Sequence, residues 1–145
     1  MGPTASHVRP FIDTNVLVYA NDPADPRKQQ RARDVLLEHA ASLVLSAQVL
    51  SEFFSVVTRQ FSPLMRVDDA RATVADLGQY PVVGLDEHVI LDAIDLSVEA
   101  QISYWDGLIL AAARRAGCDV LLTEDLSHNA TIGGVRIENP FVTPS

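Results

Sequence analysis

The sequence predicts an α/β domain with a mostly parallel central sheet of four to five strands flanked by helices. Short aliphatic runs alternate along the chain with longer segments in which apolar residues recur at helical spacing. Strands that are joined through helices pair in parallel, and the helices then cover both faces of the sheet. The 145 residues, 48% of them hydrophobic, suit one domain over residues 1–145 with a flexible segment at 1–7.

Two pairs of a strand and a helix are predicted in the first half of the chain. The apolar run at 8–19 indicates a buried strand that an Asn-Asp-Pro turn ends. Asp25 caps the next helix, which begins with a proline and keeps helical apolar spacing over 26–40. A short strand at 43–45 then leads to Ser46, which caps a helix of about three turns.

The second half continues the alternation. A helix is predicted over 67–77 and a strand over 81–85. Asp86 and Ser103 can each cap a further helix, and the second of these is predicted to run to Gly117. The remaining strands are predicted at 120–123 and, as an edge strand after a Gly-Gly pair, at 135–137.

Charge and composition narrow the functional classes. The net charge is −8, and it lies in residues 72–145, because residues 1–71 hold equal numbers of acids and bases. That balance argues against strong nonspecific binding to duplex nucleic acid, which depends on Lys and Arg. No apolar run is long enough to span a bilayer, so we expect a cytoplasmic protein without a membrane partner.

Two acids lie where the predicted sheet would bind a ligand. Asp13 stands near the end of the first strand, and Asp125 follows the strand at 120–123. The carboxyl ends of parallel strands share one edge, where α/β folds bind ligands. Asp13 lies in an apolar segment, and a buried carboxylate is costly without a cation. Taken alone, Asp125 is more simply a turn residue after a strand.

Two further acids lie on predicted helices. Glu52 shares a helical face with apolar neighbours, although an acid at such a position is often simply a surface residue. Asp106 follows Ser103 by three residues, and this capping-box spacing requires no metal. If all four acids converge, their mutual repulsion favours a divalent cation, and an all-oxygen site suits Mg²⁺ or Mn²⁺. No Cys/His spacing of a zinc site is present.

A basic helix face has two interpretations. Arg27, Lys28 and Arg31, together with Asp34, lie on the polar side of the helix at 26–40. They form either a solvated face or a patch that follows a phosphate backbone.

Four motifs resemble those of the PIN-domain nucleases, and more narrowly those of VapC-type toxins. They contain the four acids in the expected order, and the chain's end, Val135–Phe141, resembles the end of many such chains. The motifs are Phe11-Ile12-Asp13-Thr14-Asn15, Ser51-Glu52-Phe53, the segment from Tyr104 to Ala113, and Leu121-Leu122-Thr123-Glu124-Asp125-Leu126.

The resemblance implies a Mg²⁺- or Mn²⁺-dependent endoribonuclease, the toxin of a type II toxin–antitoxin system. It implies that the four acids are metal ligands, that Asn15 and Thr123 support them, and that Glu124 is a less favoured extra ligand. It also implies an RNA substrate, a VapB-like antitoxin, and a homodimer or a toxin–antitoxin hetero-oligomer. The sequence departs from the family at Gly107, where alanine is frequent, and in the polar loop at 129–133.

Three alternatives compete with the nuclease hypothesis. A haloacid-dehalogenase-like phosphatase would need a second aspartate at position 15, which is Asn. A phosphoryl-accepting receiver-like module would need a lysine after a late strand, whereas the single lysine, Lys28, lies on an early helix. A noncatalytic interaction domain would have no use for all four acids.

Overall fold

The structure is a computed structural model that describes residues 8–142, so the prediction for residues 1–7 lies outside it. The strands are β1 (Pro10–Ile12), β2 (Leu45–Ser46), β3 (Val82–Val83), β4 (Val120–Leu122), β5 (Thr131–Ile132) and β6 (Val135–Glu138). The helices are α1 (Thr14–Tyr19), α2 (Pro26–Glu38), α3 (Ala47–Val57), α4 (Val67–Leu77), α5 (Glu87–Ala100) and α6 (Tyr104–Arg115). No helix in this part of the chain is long and apolar enough to cross a membrane.

The predicted α/β class with a mostly parallel sheet is confirmed. The main sheet has the order β1-β4-β6-β5, with β5 antiparallel to β6 and the other pairs parallel. β2 and β3 form a second parallel pair. A parallel bridge between Phe11 and Val44 joins this pair to the free side of β1. The carboxyl ends of β1, β2 and β4 therefore face the same way.

The strand predicted over 8–19 is wrong beyond residue 12. β1 ends at Ile12, and Asp13 then acts as the N-cap of α1, accepting the N–H of Thr14 at 2.7 Å. Val16 and Leu17 of this short helix are buried. A short helix with buried apolar residues has the same composition as a buried strand, so periodicity alone does not separate the two.

The predicted edge position of the last strand is wrong. β6 lies between β4 and β5, and the edge strand β5 forms within the segment predicted to be a polar loop. Gly133 and Gly134 both have positive φ, 57° and 84°, and link Ile132 to its partner Val135 as a two-residue hairpin turn. The strand predicted over 81–85 is confined to Val82–Val83.

The packing of α5 against α6 depends on a glycine. Gly107 is buried in the first turns of α6, and a Cβ built on it would lie 2.6 Å from the backbone oxygen of Ala93 in α5. Such a distance is too short for any side chain, so the helices approach as closely as glycine permits. This contact also holds the start of α6, and with it Asp106, against the domain.

Candidate active site

Asp13 is a buried carboxylate at the carboxyl end of β1. Its side chain is 6% exposed. Oδ1 accepts the N–H of Thr14, and Oδ2 accepts the hydroxyl of Thr123 at 2.8 Å. Both hydrogen bonds hold the carboxylate in one orientation.

Burial raises the pKa of Asp13 from 3.8 to about 6. The hydrogen bonds from Thr123 and Thr14 oppose this rise, while the nearby charges of Asp125 and Glu52 add to it. The group is therefore mostly ionised at neutral pH, although no basic side chain in the described part of the chain pairs with it. Its environment disfavours that charge, as is common at functional sites.

Thr123 and Asn15 join Asp13 to Asp125 through hydrogen bonds. Thr123 is fully buried, and its hydroxyl oxygen accepts the backbone N–H of Asp125 at 3.0 Å. Asn15 donates through Nδ2 to Thr123 at 3.2 Å and to Oδ2 of Asp125 at 3.1 Å. Partial burial raises the pKa of Asp125, with further contributions from the charges of Asp106 and Glu124.

Glu52 reaches the same edge from α3. Its Oε1 accepts the hydroxyl of Thr14 at 2.8 Å, and its Oε2 accepts Nε2 of Gln48 at 3.3 Å. Sequence reasoning did not assign a role to Thr14 or to Gln48. Thr14 had a detectable signal, since it lies in the first quoted motif beside Asp13.

Asp106 lies in the first turn of α6, where the sequence predicted it. Its backbone N–H donates to Oγ of Ser103 at 3.0 Å, which confirms Ser103 as the N-cap. The side chain of Asp106 is partly exposed. It is not used in the cap itself, so its carboxylate remains available for other contacts.

The four acids interact in pairs at this edge. Asp13 is affected by the charges of Asp125 and Glu52, and Asp125 by that of Asp106. The ion pairs found between described residues involve none of these four. Within residues 8–142, no basic side chain therefore forms an ion pair with this acidic edge.

The donor chemistry of the acidic edge fits a hard divalent cation. All its side-chain donors are oxygens, which Mg²⁺ and Mn²⁺ prefer. The Oδ1 atom of Asn15 is buried and accepts no hydrogen bond, so it is an orphaned acceptor beside Asp125. Within residues 8–142, no three Asp, Glu, His or Cys side chains already form a group that could hold a metal. The acids therefore interact in pairs without forming a coordination shell, and their role as ligands stays a prediction.

Glu124 is engaged away from this edge. Its Oε2 pairs with Nζ of Lys28 at 2.9 Å, and its Oε1 accepts the hydroxyl of Tyr19 at 2.7 Å. Lys28 also lies 4.5 Å from the centre of the Tyr19 ring. These contacts disfavour Glu124 as an extra metal ligand. They also pair Lys28 with Glu124, whereas a receiver-like module would need a lysine beside Asp13.

The fold and this edge define an α/β protein with an acidic site at the carboxyl ends of parallel strands. Residues 11–131 match the PIN domain family. Since that match covers most of the sequence, the chain belongs to the PIN domain family. No curated protein matches the chain.

Solved structures share this fold at low sequence identity. VapC20 of Mycobacterium tuberculosis, described as a toxin that cleaves the sarcin-ricin loop, has a TM-score of 0.66 at 19% identity, covering 88% of this chain and 98% of that one. DNA-bound VapBC of Salmonella typhimurium has a TM-score of 0.68 at 17% identity, covering 92% and 98%. A toxin–antitoxin complex from Klebsiella pneumoniae has a TM-score of 0.69 at 18% identity, covering 90% and 97%.

Proposed function

We propose that this protein is a metal-dependent endoribonuclease and the toxin of a type II toxin–antitoxin pair. The observation that carries the proposal is the buried Asp13 carboxylate, which has no cationic partner among the described residues and is affected by the charges of other acids in a PIN fold. Several structures with the same fold are described as toxins or as toxin–antitoxin complexes. The family favours this function over the phosphatase and receiver-like alternatives.

The four acids would hold Mg²⁺ or Mn²⁺. Asp13 and Asp106 are our first choices for direct ligands, with Glu52 and Asp125 binding directly or through water. A bound divalent cation would lower the pKa of an attacking water and stabilise charge on the phosphate in the transition state. No side chain of the protein is needed as the nucleophile.

The supporting residues fix the ligands before any cation binds. Thr123 donates to only one oxygen of Asp13, and each carboxylate oxygen has two lone pairs, so acceptor capacity remains on both atoms. Thr14 orients Glu52, and Asn15 orients Asp125. Preorganised ligands of this kind lose less conformational entropy when a cation and a substrate bind.

The proposed partners follow from the same assignment. A VapB-like antitoxin would bind the toxin, and an acidic site would accept an arginine from it through charge-assisted hydrogen bonds. Structures of VapBC from Salmonella typhimurium and Rickettsia felis, and of FitAB, contain DNA together with the toxin–antitoxin pair. We propose a homodimer or a toxin–antitoxin hetero-oligomer, which native mass spectrometry of coexpressed chains would test.

Cleavage of a structured-RNA pool by purified, antitoxin-free protein tests the enzymatic proposal. The reactions contain Mg²⁺, Mn²⁺ or EDTA, and they compare the wild type with Asp13→Asn and with Asp95→Asn, a matched change at an exposed acid on α5. We expect metal-dependent cutting that Asp13→Asn lowers by at least about 100-fold and Asp95→Asn leaves unchanged. Normal cutting by folded Asp13→Asn would overturn the assignment.

A further inference from the structure

A pocket with the opposite charge to the acidic edge lies along α2. It has a volume of about 240 Å³ and is lined by Asp25, by Arg27, Lys28 and Arg31 of α2, and by residues 140–142. We call this cavity the basic pocket. Of the described residues, three cationic side chains and one carboxylate line it, in a chain whose net charge is −8.

The charges of the basic pocket are held in place by contacts within the fold. Arg31 donates through Nε to the backbone oxygen of Pro140 at 2.8 Å, and this bond uses one of the five guanidinium N–H donors. Asp25 is occupied as the N-cap of α2, since its carboxylate accepts the N–H of Lys28 at 3.1 Å. The acid that lines the pocket among the described residues is therefore turned to the helix end.

Lys28 connects the basic pocket to the segment that carries Asp125. Lys28 lines the pocket and pairs with Glu124, which directly precedes Asp125 in the chain. Nζ of Lys28 also lies 5.4 Å from the ring centre of Phe141, another lining residue. The pocket therefore combines positive charge with an aromatic wall, and it is joined through Lys28 and Glu124 to the segment that carries Asp125.

We propose that the basic pocket binds a backbone phosphate of the RNA strand next to the cleaved bond. This inference rests on the proposed function. A polyanion is repelled by an edge of uncompensated carboxylates, so part of its binding must come from positive charge nearby. Arg27 and Arg31 carry positive charge at the pocket, while Lys28 forms an ion pair with Glu124. This assigns the basic face of α2 to phosphate binding, the less favoured of its two sequence interpretations.

The test measures RNA binding without cleavage. Fluorescence anisotropy of a labelled single-stranded oligoribonucleotide in EDTA, at several salt concentrations, compares the wild type with Arg27→Gln/Arg31→Gln. The matched control is Arg66→Gln/Arg71→Gln, which removes two exposed arginines at the start of α4. We expect the pocket variant to bind about tenfold more weakly and its salt slope to fall by about 0.7 for each phosphate that it no longer neutralises. The control should change affinity much less.

Two further variants keep the test decisive if the double variant does not fold. Arg27→Gln leaves the bond from Arg31 to Pro140 in place, and Arg31→Lys keeps the charge. We expect the first to weaken RNA binding and the second to retain most of it.

Unchanged RNA affinity in the folded pocket variants would overturn the inference. The inference would also be overturned if the pocket variants lost affinity for a polyglutamate peptide but kept their affinity for RNA, because the pocket would then bind an acidic protein segment. Cleavage with Mg²⁺ separates this inference from the proposed function. If the wild type cleaves RNA but the pocket variants bind RNA normally, only the inference about the pocket is rejected. If the pocket variants lose RNA binding but the wild type does not cleave RNA, only the nuclease proposal is rejected.

Discussion

Replacing Gly107 with alanine should destabilise the protein, although helix propensity alone predicts the opposite. Alanine is favoured over glycine by about 1 kcal/mol inside a helix. In this protein, however, the added Cβ would lie 2.6 Å from the oxygen and 3.4 Å from the carbon of the Ala93 carbonyl group. Because the obstacle is backbone, α5 or α6 must move, and overpacking of this kind costs about 1–3 kcal/mol. We expect a net loss of about 1 kcal/mol or more in the free energy of unfolding.

Urea unfolding followed by circular dichroism measures this loss, and Gly78→Ala is its matched control. Gly78 has an ordinary helical φ of −65°, and a Cβ there would approach no heavy atom closer than 3.4 Å. The control should be neutral or stabilised by up to about 1 kcal/mol. A Gly107→Ala protein as stable as the wild type would refute the packing argument. Under the proposed function, its RNA cleavage should also fall, because α6 carries Asp106.

Three other changes test the site. The folded-state pKa of Asp13 lies above its ordinary value, so the folded chain binds more protons than the unfolded chain between pH 4 and 6. Relative to Asp13→Asn, the metal-free wild type should therefore lose up to about 3 kcal/mol of unfolding free energy as the pH rises from 4 to 7, and a pH-independent difference in urea unfolding would contradict this. Thr123→Val removes a buried hydroxyl and should cost about 1–3 kcal/mol, most of which Thr123→Ser should restore in the same assay. Lys28→Gln breaks the partly buried pair with Glu124 and should lower stability by about 1 kcal/mol, with Lys28→Arg as the charge-retaining control in thermal melts.

The sequence predicted helices better than the ends of strands. Ser46, Asp86 and Ser103 were each expected to cap a helix, and each accepts the expected backbone N–H. A cap is a local interaction between a side chain and its own segment, so its signal is readable without the rest of the fold. Asp13 is also a cap, but its apolar surroundings made the segment resemble a strand.

The order of the strands in the sheet could not be predicted from local patterns, because it depends on long-range contacts. β6 pairs with β4 through a register that joins Leu121 to Ile137, and no local pattern specifies this pairing. The hairpin between β5 and β6 did carry a signal, because a Gly-Gly pair favours a two-residue turn. Its strands are so short that the alternation of polar and apolar residues gave little support.

In the candidate site, too, some features could be predicted from the sequence and others depend on long-range contacts. Asp13 and Asp125 were placed by topology, since the carboxyl ends of neighbouring parallel strands must meet at one edge. The link from Thr14 to Glu52 joins residues 38 positions apart in the chain, and the pair of Lys28 with Glu124 joins residues 96 apart. Such contacts depend on helix packing, which sequence spacing does not determine.

The most direct measurement of the central claim is a Mn²⁺ titration followed by electron paramagnetic resonance, which counts bound and unbound ions. The central claim is that the acidic edge binds a divalent cation. We predict saturable binding by the wild type at neutral pH, weakened at least about tenfold in Asp13→Asn and unchanged in Asp95→Asn. Equal binding by all three proteins, or none by the folded wild type, would contradict the claim.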